Sequence, residues 1–144
     1  MLTVLDTNVL SELMRQMPAP AVLAWFGHQA AQTLGVSSIT QAEMLLGARL
    51  LPAGRRRAQL EARLRSMFDV DFSGRIWNFD SAAAACYADI VSQRRASGRP
   101  ISQSDAQIAA VASCRGAAVA TRNVSDFEGC GLVVHNPWLV TRAA

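Results

Sequence analysis

The chain has 144 residues, a length that accommodates one domain and is too short for two full ones. Hydrophobic residues make up 51% and charged residues 17% of the sequence; this excludes a disordered chain, and the net charge of +3 mildly favours a polyanionic partner. No apolar run reaches about 18 residues and the start lacks a signal-peptide pattern, so we expect a cytoplasmic protein that spans no membrane, folded as one domain over 1–144.

Short apolar segments alternate with helical patterns in the first part of the chain. Residues 2–5 form an apolar run that predicts a buried strand, and Thr7 or Asn8 is expected to cap the helix that follows. A second helix is predicted over 20–31, after a Pro-rich stretch, and a second strand over 33–37. The predicted order is therefore strand, helix, helix, strand.

The same alternation continues to the end of the chain. Thr40 and Glu43 have the Ser/Thr-x-x-Glu spacing of a capping box, at the start of a helix predicted over 41–51. Further helices are predicted from residue 55, over 80–96 and over 102–114, and further strands over 117–120 and 132–134. Strands that alternate with helices predict an α/β fold in which α-helices flank a central parallel β-sheet.

Four acidic residues lie at or near the predicted strand ends. Asp6 directly follows the first strand and Glu43 begins the helix after the second, whereas Asp105 and Asp126 lie shortly before and after the strand over 117–120. Ligands bind outside the carboxyl ends of parallel strands, so these side chains are expected to share one crevice. Clustered carboxylates repel one another unless a cation compensates, and oxygen ligands without His or Cys favour Mg²⁺ or Mn²⁺ over zinc.

Each acid also has an ordinary structural explanation. Asp6 fits a turn after a strand, and Glu43 fits the capping box with Thr40. A carboxylate at Asp105 interacts favourably with the dipole of its helix. Asp126 is equally typical of a solvated loop, and Asn123 competes with it for the same corner of the crevice.

Residue types that are absent or widely spaced exclude several common chemistries. All 14 basic residues are Arg, which excludes a P-loop lysine, a Schiff-base lysine, and the catalytic lysine of receiver domains and related phosphatases. Three cysteines, Cys86, Cys114 and Cys130, are too far apart in the sequence to indicate a zinc site or a disulfide framework. We expect them to be reduced.

Four short motifs together resemble the PIN-domain nucleases, and more narrowly their VapC/FitB group, the toxins of type II toxin-antitoxin pairs. The resemblance covers nearly the whole chain. The motifs, which occur in the family's order, are Leu5-Asp6-Thr7-Asn8, Thr40-Gln41-Ala42-Glu43, Ser104-Asp105-Ala106 and Thr121-Arg122-Asn123, with Asp126-Phe127 and Asn136-Pro137-Trp138 after them.

This resemblance implies a PIN-like fold with an acidic pocket for Mg²⁺ or Mn²⁺. Asp6, Glu43 and Asp105 match three principal acids of the family. The fourth acid of the family commonly follows the Thr-Arg pair, where this chain has Asn123, so the fourth role falls to Asn123 or Asp126. A single bound ion is better supported than two.

The hypothesis for the mechanism is hydrolysis of a phosphodiester by water that the metal activates. Asp6 and Asp105 are the expected main ligands of the metal, and Glu43 either binds the metal or orients the water. The expected role of Thr7, Thr121 and Asn123 is to orient these carboxylates or to contact phosphate, and Arg122 is the best candidate for a phosphate contact. Together with Asp126, these are the site residues predicted from the sequence.

Partners also follow from the resemblance. It implies an RNA substrate, a homodimer, and a VapB-like antitoxin that covers the acidic groove. DNA would be bound only through the antitoxin, because the chain has no helix-turn-helix or ribbon pattern. The arginine run at 55–57 fits a solvated helix start as well as a contact with nucleic acid.

Two other functions compete with a metal-dependent ribonuclease. A non-catalytic PIN-like module that binds RNA or a partner is compatible with Asn123 in place of the fourth acid. A phosphatase or receiver domain is opposed by the absence of lysine and of an Asp-x-Asp motif after the first strand.

Overall fold

Five short strands form one parallel sheet within residues 1–139, which are the residues that the computed structural model describes. They are β1 (Thr3–Leu5), β2 (Leu34–Ser37), β3 (Ile76–Trp77), β4 (Ala118–Ala120) and β5 (Val134–His135). The order across the sheet is β3-β2-β1-β4-β5, and each neighbouring pair is parallel. The α/β prediction is confirmed. The end of the expected domain, residues 140–144, lies outside the described residues.

Seven α-helices accompany these strands in the described part of the chain. They are α1 (Thr7–Leu13), α2 (Pro20–Gly27), α3 (Ser38–Arg49), α4 (Arg55–Ser66), α5 (Ser81–Ala96), α6 (Gln103–Cys114) and α7 (Val124–Phe127). A 3₁₀ turn over Ala31–Thr33 precedes β2, and a π-helical turn over Met67–Asp71 continues α4. Among residues 1–139, no helix has the length and apolar character needed to cross a bilayer.

Helices cover both faces of the sheet, so the central strands are buried on both sides. Val4 and Val119 belong to the apolar cluster built with α5 and α6. The next residues along the same strands, Leu5 and Ala120, belong to the opposite cluster, built with α1 and α4. This alternation arises because successive side chains of a strand point to opposite faces. Burial on both faces explains why these strands appear in the sequence as continuous apolar runs.

Two predicted helix caps are wrong. Neither Thr7 nor Asn8 caps α1; Asp6 does, with its Oδ1 accepting the Thr7 backbone N–H at 2.7 Å. Likewise, α3 begins before Thr40, and its cap is Ser37, whose Oγ accepts the Thr40 N–H at 3.1 Å. Both caps lie directly at a strand end, because the chain passes from β1 and β2 into a helix with no intervening loop. Glu43 is therefore not the partner of a capping box.

Other element boundaries differ by a few residues. Helix α2 ends at Gly27 rather than at residue 31, and the last described strand is Val134–His135 rather than 132–134. Strand β3 and helix α7 were not predicted, since segments of two and four residues carry no periodicity. The predicted start of α4 at Arg55 is confirmed, and α6 begins at Gln103, one residue after its predicted start, with Ser102 as its cap.

Candidate active site

The candidate site begins where β1 and β4 end side by side. Asp6 directly follows β1, and its backbone N–H donates to the Ala120 carbonyl at 2.9 Å. Thr121 directly follows β4 and is fully buried, and Asp6 is only 5% exposed. Sheet pairing therefore fixes these two side chains next to each other, although 115 residues separate them in the sequence.

Thr121 holds Asp6 through a hydrogen bond whose direction is determined by its other partners. The Thr121 Oγ1 accepts from the Asn123 backbone N–H at 3.0 Å and from Asn8 Nδ2 at 3.3 Å. A hydroxyl has two acceptor positions and one proton, so the proton goes to Asp6 Oδ2, at 2.8 Å. Asn8 Nδ2 adds a second donor to the same oxygen, at 3.2 Å. Two side chains, together with the Thr7 backbone N–H on Oδ1, thus fix the orientation of one buried carboxylate.

The charge on Asp6 is stabilised only in part. Burial raises the pKa of the Asp6 carboxyl above its usual value, and the hydrogen bonds from Thr121 and Thr7 act in the opposite direction. The negative charges of Asp105 and Glu43 raise this pKa further. Asp105 and Glu43 therefore lie close enough to Asp6 for their charges to act on it.

Glu43 is connected to Asp6 through Thr7, the first residue of α1. The Thr7 hydroxyl donates to Glu43 Oε1 at 3.0 Å, which leaves it an acceptor toward the Thr40 hydroxyl, also at 3.0 Å. Thr40 is fully buried, and its own hydroxyl lies 3.5 Å from Ser37 Oγ. A chain of hydroxyl groups therefore runs from the end of β2 to the exposed Glu43 carboxylate.

Asp105 lies in the first turn of α6 and is half-buried. Its backbone N–H donates to Ser102 Oγ at 3.2 Å, which fixes the start of the helix. Burial raises the pKa of the Asp105 carboxyl, a hydrogen bond from the Ser102 side chain lowers it, and the charge of Asp126 raises it further. The positive charge of Arg94 lowers this pKa to a smaller extent.

Asn123 and Asp126, the two candidates for the fourth position, are both exposed and flank the start of α7. Asp126 acts electrostatically on Asp105, whereas Asn123 contacts the site through its backbone. Arg122 is exposed at the rim, where its guanidinium lies 5.1 Å from the Trp138 ring centroid. Its backbone N–H donates to Asn8 Oδ1 at 3.2 Å.

Sequence reasoning missed Thr40 as part of this site and interpreted it only as a helix cap. The contact that matters joins Thr40 to Thr7 across 33 residues, and no local pattern encodes it. Arg94 was also missed. The available signal was the pair Arg94 and Arg95 in the last turn of an Ala-rich helix.

The donor chemistry of the acids fits a hard divalent cation. Ion pairs within residues 1–139 involve Glu12, Glu61 and Glu128, and none involves the four predicted site acids. Within the same residues no three His, Cys, Asp or Glu side chains form a cluster that encloses an ion. Mg²⁺ typically binds through one or two carboxylates and keeps several waters. Acids without an ion-pair partner in the described part of the chain are therefore compatible with a Mg²⁺ site even though no three of these side chains enclose an ion there.

The sequence pattern of the PIN domain family matches residues 3–128. The chain belongs to the PIN-domain family. Two curated relatives place this PIN domain in the VapC and FitB group. "VapC ribonuclease Y4jK" of Sinorhizobium fredii is 45% identical over 94% of this chain and 96% of its own length. "Toxin FitB" of Neisseria gonorrhoeae is 40% identical over 93% of this chain and 96% of its own length.

The PIN domain also has a close structural counterpart. The crystal structure of FitAcB from Neisseria gonorrhoeae superposes with a TM-score of 0.91 at 38% identity, over 96% of this chain and 100% of that one. The predicted PIN-like fold is confirmed.

Removing the charge of Asp105 is expected to stabilise the metal-free PIN domain. Burial raises the pKa of Asp105 in the folded state above its unfolded value of 3.8, so between these two pKa values the folded state holds more protons than the unfolded state. The free energy of unfolding therefore decreases as pH rises from 3.8 through the folded pKa, and it stays reduced at pH 7. Asp105→Asn should raise the melting temperature at pH 7 by about 2 °C, a small gain because water screens the exposed part of the side chain.

Thermal unfolding followed by circular dichroism in EDTA, at pH 4 and pH 7, measures this effect. Asp89→Asn changes an exposed acid of α5 in the same way. It should leave the difference between the melting temperatures at pH 4 and pH 7 as it is in the wild type. A lower melting temperature for Asp105→Asn than for the wild type at pH 7 contradicts the prediction.

Proposed function

We propose that this protein is a Mg²⁺-dependent endoribonuclease and the toxin of a VapBC-type toxin-antitoxin module. The observation that carries the proposal is a buried Asp6, oriented by three donors and repelled by Glu43 and Asp105, at the carboxyl ends of parallel strands. A protein gains no stability from such an arrangement without a cation. The substrate class is supported by a relative whose name contains ribonuclease, at 45% identity.

Asp6 and Asp105 are proposed to hold the ion, with Mn²⁺ able to replace Mg²⁺, and Glu43 to bind it or to orient the attacking water. A bound divalent ion supplies a water of lowered pKa and polarises the phosphate. Thr121 keeps Asp6 in one orientation, and Thr7 does the same for Glu43 Oε1. These hydrogen bonds fix the carboxylates before substrate binds.

Arg122 is proposed to bind a phosphate of the RNA. Its guanidinium is exposed and lies against Trp138, and its backbone N–H donates to Asn8, a residue that also donates to Asp6. A positioned arginine binds phosphate with less loss of side-chain entropy than a free one. The base sequence of the RNA is not read by such a contact.

The proposed partners are a VapB-like antitoxin and a second copy of this chain. The similar structure from Neisseria gonorrhoeae is a FitAcB complex, and a second similar structure is FitAB bound to an IR36 DNA fragment. DNA binding is proposed to occur only through the antitoxin. The proposed compartment is the cytoplasm, where such an RNA substrate is present.

The test is cleavage of labelled total bacterial RNA by purified protein freed of any antitoxin, with Mg²⁺, Mn²⁺ or EDTA. Cleavage is expected with either metal and not with EDTA. Since metal-activated water does not use the ribose 2′-hydroxyl, the products should carry 5′-phosphate and 3′-hydroxyl ends. Cleavage in EDTA, or products with 2′,3′-cyclic phosphate, contradicts the mechanism.

A non-catalytic RNA-binding module is the second candidate function. It is favoured by Asn123 at the position where the family's fourth acid commonly lies, and by the absence of an ion-enclosing cluster within residues 1–139. Folded protein that shifts RNA in a gel but leaves it intact with both metals supports this candidate over the nuclease.

A further inference from the structure

Arg94, in the last turn of α5, is a buried arginine that bridges two backbone segments beside the acids. It is only 5% exposed. Its Nε donates to the Arg99 carbonyl at 2.6 Å and its Nη2 lies 3.5 Å from the Pro100 carbonyl. On the other side, Nη1 donates to the carbonyls of Glu128 at 2.6 Å and Asp126 at 3.0 Å.

This guanidinium is solvated by carbonyl groups instead of by a carboxylate. The ion pairs found within residues 1–139 do not include Arg94. A buried charge is unfavourable unless its donors are satisfied, and the two carbonyl pairs supply acceptors for Nε, Nη1 and Nη2. Lysine has a single donor atom and cannot span both segments in this way.

Both bridged segments lead directly to acids of the site. The segment that contains Arg99 and Pro100 enters α6 at the Ser102 cap, three residues before Asp105. The other segment begins with Asp126 itself, whose carbonyl is one of the acceptors. Arg94 therefore joins the backbone of the Asp105 side of the crevice to that of the Asp126 side.

The same two segments are joined a second time at the surface, where Arg99 Nη2 lies 2.9 Å from Glu128 Oε2. Both side chains of that ion pair are about half exposed, so water screens it, whereas Arg94 is buried. Loss of Arg94 would therefore remove the buried connection between the segments and leave only the screened one.

We propose that Arg94 is a positioning residue that sets the separation of Asp105 and Asp126, and thereby the affinity of the site for a divalent ion. The proposal rests on the proposed function for its metal. Arg94 touches neither the substrate nor the ion; it acts through the two segments that it bridges.

The experiment compares the wild type with Arg94→Met, Arg94→Lys and Arg95→Met. The Arg95→Met variant is the control, because it removes the neighbouring arginine, which is exposed. Mn²⁺ binding is measured by calorimetry without RNA, and cleavage is measured on labelled total RNA with Mn²⁺. Both are done at a temperature at which circular dichroism shows each variant to be fully folded. Amide hydrogen exchange is followed at residues 97–102 and 124–130.

For Arg94→Met we expect about ten-fold weaker Mn²⁺ binding, slower cleavage by about the same factor, and faster exchange in both segments together. Arg94→Lys keeps the charge and should give an intermediate loss, whereas Arg95→Met should match the wild type. If Arg94→Met fails to fold, the Lys variant supports the same comparison.

A folded Arg94 variant with wild-type Mn²⁺ affinity and cleavage rate overturns the proposal, even if its melting temperature is lower, because a merely structural brace predicts that result. Unchanged exchange in both segments also overturns it. A wild-type protein that neither binds Mn²⁺ nor cleaves RNA contradicts the proposed function instead, and the exchange measurement still tests the bridge.

Discussion

Asp6→Asn is expected to lower the rate of RNA cleavage by about a thousand-fold, which corresponds to about 4 kcal/mol of transition-state stabilisation. The physical reason is loss of a negative charge that nothing else replaces. Asp6 is the most buried of the proposed ligands, and its carboxylate is oriented by Thr7, Asn8 and Thr121. A neutral amide in this place binds a divalent ion weakly.

The substitution should leave the protein folded. Asn is as good a helix cap as Asp, so its Oδ1 can still accept the Thr7 N–H. Its Nδ2 then faces the hydroxyl of Thr121 and the Nδ2 of Asn8, which both lose their acceptor at Asp6. The cost of these two lost bonds is offset by removal of a buried charge, so we expect a net change in stability within about 1 kcal/mol.

Two measurements separate loss of chemistry from loss of structure. The first is the cleavage rate with saturating Mg²⁺, compared with Asp89→Asn, an exposed control that should cleave like the wild type. The second is the thermal shift on adding Mg²⁺. At ten times the dissociation constant, binding stabilises the wild type by about 1.4 kcal/mol, or about 4 °C, and Asp6→Asn should show no shift. Wild-type cleavage by Asp6→Asn contradicts the proposed role.

The position of Asp6 could be predicted from the sequence because it depends on local information and one general rule. An apolar run followed at once by an acid indicates a buried strand with a carboxylate at its end, and parallel sheets bind ligands there. The same logic located Thr121 after β4. What it could not provide is the contact between them, which depends on the pairing of β1 with β4.

The capping box shows where local patterns fail. Ser37 and Thr40 are both possible helix caps, three residues apart, and the Glu43 spacing favoured Thr40. In the structure the hydroxyl of Thr40 bonds to Thr7 from another helix, and Ser37 caps α3. A tertiary contact thus decided between two local solutions. For the same reason Arg94 was not foreseen, since its acceptors include carbonyls 32 and 34 residues away.

Gly35→Ala is expected to reduce the free energy of unfolding by about 3 kcal/mol, the upper end of what overpacking a core usually costs. Gly35 lies in β2, the strand that ends at the cap of α3 and so positions Glu43. A Cβ on Gly35 would lie 2.6 Å from Trp77 Cη2 and 2.8 Å from the Arg75 carbonyl oxygen. Neither neighbour can move easily.

The reason lies in how these two neighbours are held. Trp77 is 7% exposed and packed in the core, so a rotation of its ring would open a cavity or create a second clash. The Arg75 carbonyl accepts the Val36 backbone N–H at 3.0 Å, so moving it breaks the ladder between β2 and β3. The strain must therefore spread into the sheet, and it cannot be absorbed by a flexible side chain.

Chemical unfolding by urea measures the change, and Gly47→Ala is the matched control. Gly47 lies inside α3, and a Cβ on Gly47 would meet no neighbouring atom within 4 Å, so the same substitution there should stabilise the protein, by up to about 1 kcal/mol. In a Trp77→Leu background the smaller side chain relieves part of the clash, so Gly35→Ala should cost less than in the wild type. Equal costs in both backgrounds would show that Trp77 is not the obstacle and that the Arg75 carbonyl alone excludes a side chain at this position.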